Sequence, residues 1–119
     1  MTQADTKMPT LPFGEHELSR LILGANPING GSHLSTFVNR QMKRYFTPER
    51  VQALLGHCEH QGINTWQSGP VNLDAYRTYV ENGGSMHYLA LASDQPDSPD
   101  MLETLVEGGT LGVAHHGEV

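Results

Sequence analysis

The end of the chain carries the side chains best suited to chemistry. His115 and His116 are followed by Gly117 and Glu118, which puts two imidazoles and a carboxylate close together in sequence. An imidazole can exchange a proton near neutral pH or bind a metal ion. Neighbouring side chains on a strand point to opposite faces, so one of the two histidines at most can face a shared site. The cluster therefore predicts acid–base or ligand chemistry centred on His115.

A second arrangement includes His33, which lies far from this cluster in sequence. If the chain turns at Gly117, Glu118 can lie beside His115, and His33 then completes a set of two imidazoles and one carboxylate. Such a set suits a divalent metal ion with open coordination positions. Neither HxH nor HxxxH occurs in the sequence. We therefore expect no metal, and a metal-dependent isomerase or hydrolase remains an alternative.

Four short strands that alternate with helices must position these residues. The strands are predicted to start at about residues 21, 63, 86 and 111, where apolar runs are bounded by turn-forming residues. The helices between them are indicated by capping and one-sided apolar residues: Thr47, Pro48, Val51 and Leu55 for the first, Leu73, Tyr76 and Val80 for the second, Ser98, Pro99 and Leu105 for the third. A hairpin with Gly14 at its turn precedes the first strand, and a helix is predicted within 34–45.

This order predicts an α/β fold with a parallel sheet built from right-handed crossovers. Two architectures fit it, a small open doubly wound sheet and the N-terminal half of a (β/α)8 TIM barrel. A complete barrel needs about 250 residues, and a four-stranded sheet that stops on its last strand would leave an exposed edge. We therefore expect a disordered segment over residues 1–10 and a partial barrel with strands 1–4 over residues 11–119.

The working residues of a barrel lie at the carboxyl ends of its strands. That rule selects one catalytic candidate, His115, and five candidates for substrate contact: Asn26, His33, Gln67, His116 and Glu118.

Several stretches resemble a known enzyme family. HELSRLILG over residues 16–24 resembles the opening of the aldo/keto reductases, where a hairpin leads to "SRLGLG" on the first barrel strand. GINTWQS over residues 62–68 resembles that family's second strand, "GINFFDTA". The strand that ends at His115 resembles the one that carries the family's catalytic histidine. The resemblance covers about residues 11–119, extends to an uncharacterised aldo/keto reductase-like branch, and implies a TIM barrel oxidoreductase.

The residues at the family's catalytic positions differ. The resemblance places the family's Asp on Gln67, its Tyr on Asn72 and its Lys near residues 91–93, and only the histidine is kept, as His115. A glutamine cannot hold a lysine–tyrosine pair in its ionised state, and an asparagine has no acidic proton, so the standard reductase mechanism cannot operate. The family binds its cofactor after later strands. Nicotinamide is therefore expected only if a missing C-terminal half carries that site.

These observations predict an aldo/keto reductase-like barrel that acts on or binds a small polar molecule, either sugar-like or carbonyl-bearing. His115 would be the acid, base or ligand, and Gln67 and Asn26 would position the molecule. A non-catalytic ligand-binding or structural barrel is the alternative, so enzymatic activity stays open.

Composition limits the partners. The 119 residues include 7 Lys+Arg and 13 Asp+Glu, and the net charge of −6 argues against nucleic-acid binding. No apolar run reaches the roughly 18 residues of a membrane helix, the first residues lack a secretory signal, and the lone Cys58 fits a reducing compartment. We expect a cytoplasmic protein with a small-molecule ligand, no nucleic acid and no membrane, and a homodimer if the chain is complete.

One charge feature lies outside this scheme. Arg40, Lys43, Arg44 and Arg50 are four of the seven basic residues and fall within eleven positions. This segment is either a lid that attracts an anionic substrate or a solvated helix face.

Overall fold

The described chain begins with an antiparallel hairpin. The computed structural model describes residues 7–92 and 100–115, and in it β1 (Thr10–Phe13) pairs with β2 (His16–Ser19). Gly14 makes the turn at a φ of 61°, a left-handed conformation that side chains with a Cβ rarely adopt. The predicted disordered segment lies outside the described residues up to residue 6, and its last residue, Thr10, begins β1.

A parallel sheet forms the centre of the molecule. Within the described residues it has three strands, in the order β3 (Thr65–Ser68), β4 (His87–Ala92) and β5 (Gly112–His115). The register pairs residue 67 with residue 89, and residue 89 with residue 112. Because the strands are parallel, their carboxyl ends meet at one edge of the sheet.

Helices precede and connect these strands. The described ranges contain five α-helices: α1 (Asn26–Asn29), α2 (Thr36–Tyr45), α3 (Pro48–His60), α4 (Leu73–Glu81), which follows a 3₁₀ turn over Pro70–Asn72, and α5 (Asp100–Glu107). The predicted start of α3 is confirmed, because the Thr47 hydroxyl accepts a hydrogen bond from the Arg50 N–H at 3.3 Å and Pro48 follows the cap. In the part of the chain that the structure describes, every helix is too short or too polar to cross a bilayer.

The predicted half barrel is wrong. Four parallel strands over residues 11–119 were expected, whereas residues 7–92 and 100–115 form a three-stranded parallel sheet and a separate two-stranded antiparallel hairpin. The run Leu21–Leu23, predicted as the first barrel strand, makes a single bridge, between Leu23 and Trp66. The protein is a small α/β fold and not the N-terminal half of a TIM barrel.

Local hydrogen bonding explains why this run does not become a strand. The Ser19 hydroxyl donates to the Leu21 carbonyl at 2.6 Å. This carbonyl, which precedes the bridge, therefore already has a hydrogen-bond partner. On the carboxyl side, α1 begins at Asn26 with Pro27, which has no N–H to donate to a ladder. Within this run, Leu23 is the residue that bonds to β3, through Thr65 and Gln67.

The core lies between the helices and one face of the sheet. Trp66 and Tyr88 are register neighbours on that face, and both are completely buried. Tyr76 of α4 packs against Tyr88 with ring centroids 4.8 Å apart, and Leu55 of α3 belongs to the same buried cluster. Burying large aromatic and aliphatic side chains in this way is the main source of stability for a chain of this size.

The opposite face of the sheet is only partly covered. Gln67, Leu89 and Leu91 lie on it, because side chains alternate along a strand. The hairpin covers the amino half, where a Cβ on Gly112 would lie 3.3 Å from the Phe13 ring. The described residues leave the carboxyl half accessible, and Leu91 is 39% exposed there.

Candidate functional site

A cavity of about 540 Å³ lies at the carboxyl edge of the sheet, next to its open face. Its lining combines side chains from the sheet with the loop that leads into α1: Leu23, Gly24, Ala25, Asn26, Pro27, Gln67 and Leu91. A cavity of this size can enclose a small molecule.

Hydrogen bonds fix the loop that forms one wall. Leu23 donates its backbone N–H to the Thr65 carbonyl at 3.0 Å and accepts the Gln67 N–H at 2.8 Å. The indole of the buried Trp66 donates to the Gly24 carbonyl at 3.1 Å. α1 begins directly after this loop, at Asn26. The core therefore determines where the rim of the cavity lies.

Among the described lining residues, the polar side chains are two carboxamides. Gln67 is half-buried and Asn26 is exposed, and neither side chain hydrogen-bonds to another residue in the described part of the chain. A carboxamide offers two donors and one acceptor oxygen. Polar groups that the protein leaves unpaired near its interior are satisfied by water or by a ligand. The cavity thus presents hydrogen-bonding groups beside the apolar side chains of Leu23 and Leu91.

The described residues that line this cavity include no titratable side chain. These residues therefore offer neutral hydrogen bonds and apolar contact. An ion that entered would lose hydration without meeting an opposite charge. A neutral polar molecule fits this lining better than an anion or a cation.

The structure brings together two of the predicted site residues, Asn26 and Gln67. Their approach follows from the bridge at Leu23, which sets the first α1 residue beside β3. His33 is exposed in the loop between α1 and α2 and does not line this cavity. The described structure therefore does not bring His33 into the same site.

The remaining predicted residues lie at the end of the chain. His115 ends β5, and its pairing with Ala92 places its backbone at the carboxyl edge of the sheet. The side chain of His115, and His116 and Glu118 as a whole, lie outside the described residues. Among the residues that are described, no group of three or more His, Cys, Asp or Glu side chains could hold a metal ion.

Asn72, the position that the resemblance assigns to a catalytic tyrosine, lies in the interior. Its side chain is 6% exposed. It donates to the Asn29 Oδ1 at 2.6 Å and to the Ser68 hydroxyl at 2.5 Å, and it accepts from Asn29 at 3.3 Å. These bonds join α1 to the start of α4. Asn72 is thus a structural residue and does not line the cavity of Gln67.

A larger cavity, of about 630 Å³, lies between α2, α3 and α4. Its amide groups are already engaged: Asn29 and Asn72 bond to each other, and Gln52 donates to the Ala75 carbonyl at 2.9 Å. Its other polar lining residues, Lys43, Glu49, Asp74 and Thr78, lie on the exposed surface of α2, α3 and α4. We favour the smaller cavity as the candidate site because both of its carboxamides are free.

Leu23 and Leu91 are the site residues that sequence reasoning missed. Leu91 is two positions beyond Leu89 on β4, so it shares the open face with Gln67. The period of two along a strand could have identified it. Leu23 could not be placed in this way, because its position depends on a single bridge.

Among the described residues, the groups with shifted pKa values do not line the cavity. Burial raises the pKa of Tyr88 to about 12, and its hydroxyl donates to the Gly69 carbonyl at 2.5 Å on the helix side of the sheet. Burial and then the charge of His16 lower the pKa of His87 at the amino end of β4. These shifts therefore reflect packing and give no indication of a catalytic group.

Comparison with known proteins adds no relative from which a role could be carried over. No protein-family model matches the chain, and comparisons with curated proteins and with solved structures likewise found no match.

Proposed function

We propose that the chain binds a small neutral polar molecule, sugar-like or carbonyl-bearing, in the cavity at the carboxyl edge of the sheet. The observation that carries this proposal is the convergence of two free carboxamides, Asn26 and Gln67, on one cavity of about 540 Å³. In open α/β sheets, ligands bind outside the carboxyl ends of the strands. The proposal therefore follows both the local chemistry and the position in the fold.

The lining residues would divide the recognition between them. The half-buried Gln67 would bond the more enclosed hydroxyl or carbonyl group, and the exposed Asn26 would bond a group at the rim. Leu23 and Leu91 would contact the carbon skeleton. Because a carboxamide both donates and accepts, the site suits hydroxyl and carbonyl oxygens alike.

Catalysis is a second candidate function, favoured by the position of His115. The backbone of that residue ends β5 at the same edge of the sheet as the cavity. An imidazole at this edge would supply an acid–base group that the described lining residues do not include. The reductase reaction itself is not part of the proposal, because Gln67 and Asn72 occupy the positions of its Asp and Tyr. His115→Ala would abolish turnover of a bound substrate in this second case and leave affinity unchanged in the first.

The test is an NMR titration of the ¹⁵N-labelled chain, read on the side-chain NH₂ resonances of Asn26 and Gln67. The probes are a panel of pentoses, hexoses, hydroxyaldehydes and hydroxyketones. We expect at least one probe to shift both resonances in a saturable way. Gln67→Leu removes the hydrogen bonds but keeps the bulk, and it should weaken that probe about fivefold, as expected for the loss of about 1 kcal/mol.

Gln61→Leu is the matched control, because Gln61 is exposed at the end of α3 and does not line the cavity. This variant should bind the probe as the wild type does. If no probe moves the two resonances, or if Gln67→Leu binds as tightly as the wild type, the proposed function is wrong.

A further inference from the structure

α2 is an amphipathic helix that contributes no buried side chain. Leu34, Phe37 and Tyr45 are 61%, 64% and 57% exposed; Leu34 directly precedes the N-cap Ser35, and Phe37 and Tyr45 lie on the helix, about two turns apart. Arg40 and Arg44 are also exposed on α2. These five residues are the α2 patch. Aromatic and arginine side chains dominate the binding energy of protein interfaces, so their joint exposure indicates an interaction surface.

The α2 patch is held in a defined position. The Asn39 side chain donates to the Ser32 carbonyl at 3.0 Å, which ties α2 to the preceding loop. Arg50 donates to the Tyr45 carbonyl at 2.9 Å, and its guanidinium lies 4.3 Å from the centre of the Tyr45 ring. A partner would meet a pre-formed surface, which lowers the entropy lost on binding.

A surface of opposite charge lies between α4 and α5. A shallow cavity of about 260 Å³ there is lined in part by Val80, Glu81 and Glu107. Val80 and Val106 are 41% and 68% exposed, and Glu103 adds a further exposed carboxylate on α5. These five residues, Val80, Glu81, Glu103, Val106 and Glu107, are the acidic patch.

The two patches complement each other in charge and in apolar character. The α2 patch has two guanidinium groups, whereas the acidic patch has three carboxylates beside one lining cation, Arg77. No described residue forms an ion pair with any of these groups. Four of the seven basic residues lie in or beside α2, in a chain of net charge −6. This segregation of charge favours attraction between the α2 end of one molecule and the acidic surface of another.

We propose that the α2 patch of one copy docks on the acidic patch of a second copy, with Phe37 in the shallow cavity between α4 and α5. The contact is heterologous, since the two patches differ, and a pair of copies keeps one free acidic patch on the first copy and one free α2 patch on the second. Assembly therefore continues beyond a dimer as the concentration rises. It weakens with added salt, because salt screens exposed charges.

The test is sedimentation of two variants, each of which inactivates one patch. Phe37→Ser/Arg44→Ser removes the α2 patch without touching the core, because α2 has no buried side chain. Glu81→Lys/Glu107→Lys inactivates the acidic patch. The wild type should form oligomers at low salt, and each variant alone should be a monomer with an unchanged circular dichroism spectrum. An equimolar mixture should form a 1:1 dimer that grows no further, because each variant keeps only one working patch.

Val71→Ser/Arg20→Ser is the matched control, since both residues are exposed and belong to neither patch. It should assemble as the wild type does. A wild type that stays monomeric at all concentrations, or a mixture that yields no dimer, overturns the proposal. Vesicles of anionic lipid test a different partner for the α2 patch. If they bind the monomeric wild type but not Phe37→Ser/Arg44→Ser, α2 docks on lipid and the proposal is wrong.

Discussion

At the scale of single residues, Glu59 links α3 to the loop before β4 through its carboxylate. Its Oε1 accepts the Tyr79 hydroxyl at 2.9 Å and the Ser85 backbone N–H at 2.8 Å. The bond from the Ser85 N–H lowers the pKa of Glu59 below its ordinary value of 4.5, although burial opposes this shift. As the pH falls, the unfolded chain therefore binds this proton at a higher pH than the folded chain does. The stabilisation is complete above pH 4.5 and is lost as the pH falls through the lower folded pKa.

Glu59→Gln should remove this contribution. We expect the free energy of unfolding to fall by about 1 kcal/mol at neutral pH, because charge-assisted hydrogen bonds become neutral ones. In strong acid the deficit should shrink, since the wild-type carboxylate is then protonated. Urea unfolding at both pH values measures the two differences. Glu15→Gln, in the exposed hairpin turn, is the control and should behave as the wild type. An equal deficit at both pH values would contradict the prediction.

His87 links stability to pH in a higher range. Its ring meets that of His16 edge-on, with centroids 5.3 Å apart. Burial and then the charge of His16 lower the pKa of His87 below its ordinary value of 6.5. The unfolded chain therefore binds this proton more readily than the folded chain. Stability is complete above pH 6.5 and decreases as the pH falls below it, until the folded chain is also protonated.

His87→Phe should reduce this loss of stability, because phenylalanine keeps the ring but cannot be protonated. Thermal melting between neutral pH and about pH 5 measures the slope. His60→Gln is the comparison, since His60 is exposed at the end of α3, and it should follow the wild-type slope. If His87→Phe also follows that slope, other groups are responsible for the loss.

At the scale of elements, α2 to α5 were predictable, whereas the short α1 and the first strand were not. The capping Thr47, the following Pro48 and the apolar stripe are local signals, and α3 has the predicted start and buried face. Leu21 and Ile22 also carry a clear apolar signal, yet they are 59% and 42% exposed. Whether a run pairs as a strand depends on whether its backbone N–H and carbonyl groups are already hydrogen-bonded to other residues. Hydrophobic periodicity does not show this.

Ser19→Ala tests how strongly this hydroxyl stabilises the segment that leads to the bridge. The buried Ser19 hydroxyl donates to the Leu21 carbonyl and accepts the Asn64 N–H at 3.0 Å. Its loss should lower the free energy of unfolding by about 1–3 kcal/mol, because part-buried backbone groups lose their partners. Urea unfolding measures that loss, and the amide of Gln67 should exchange faster as the bridge to Leu23 loosens. Thr36→Ala, exposed at the start of α2, should change stability by less than about 0.5 kcal/mol. If both variants are equally stable, Ser19 does not hold this segment.

The candidate site was predictable in part, for the same reason. Asn26 and Gln67 follow from the rule that working residues lie at the carboxyl ends of parallel strands. Their approach within one cavity depends on the bridge at Leu23, which the sequence pattern does not show. The exposure of the α2 patch could not be predicted either. Apolar residues at helical spacing indicate a helix, but they do not show whether their face packs on the core or meets solvent.

At the scale of the whole molecule, the sequence predicted the order of elements but not the closure of the sheet. β3, β4 and β5 follow one another with helices between them, as the alternating pattern predicts. A barrel further requires a matching number, tilt and stagger of strands. Those quantities depend on the pairing of whole strands, and the single pair at Leu23 does not supply a fourth strand to the described sheet.

The absence of buried side chains in α2 has a consequence for how this protein can evolve. Substitutions on the outer face of α2 change what the surface recognises at little cost in folding free energy. Trp66 and Tyr88 have no such freedom, because both are completely enclosed and any change of volume creates a void or a clash. Selection can therefore change what α2 recognises while the core residues stay constant. The residues that can acquire new binding partners are thus separate from the residues that maintain the fold.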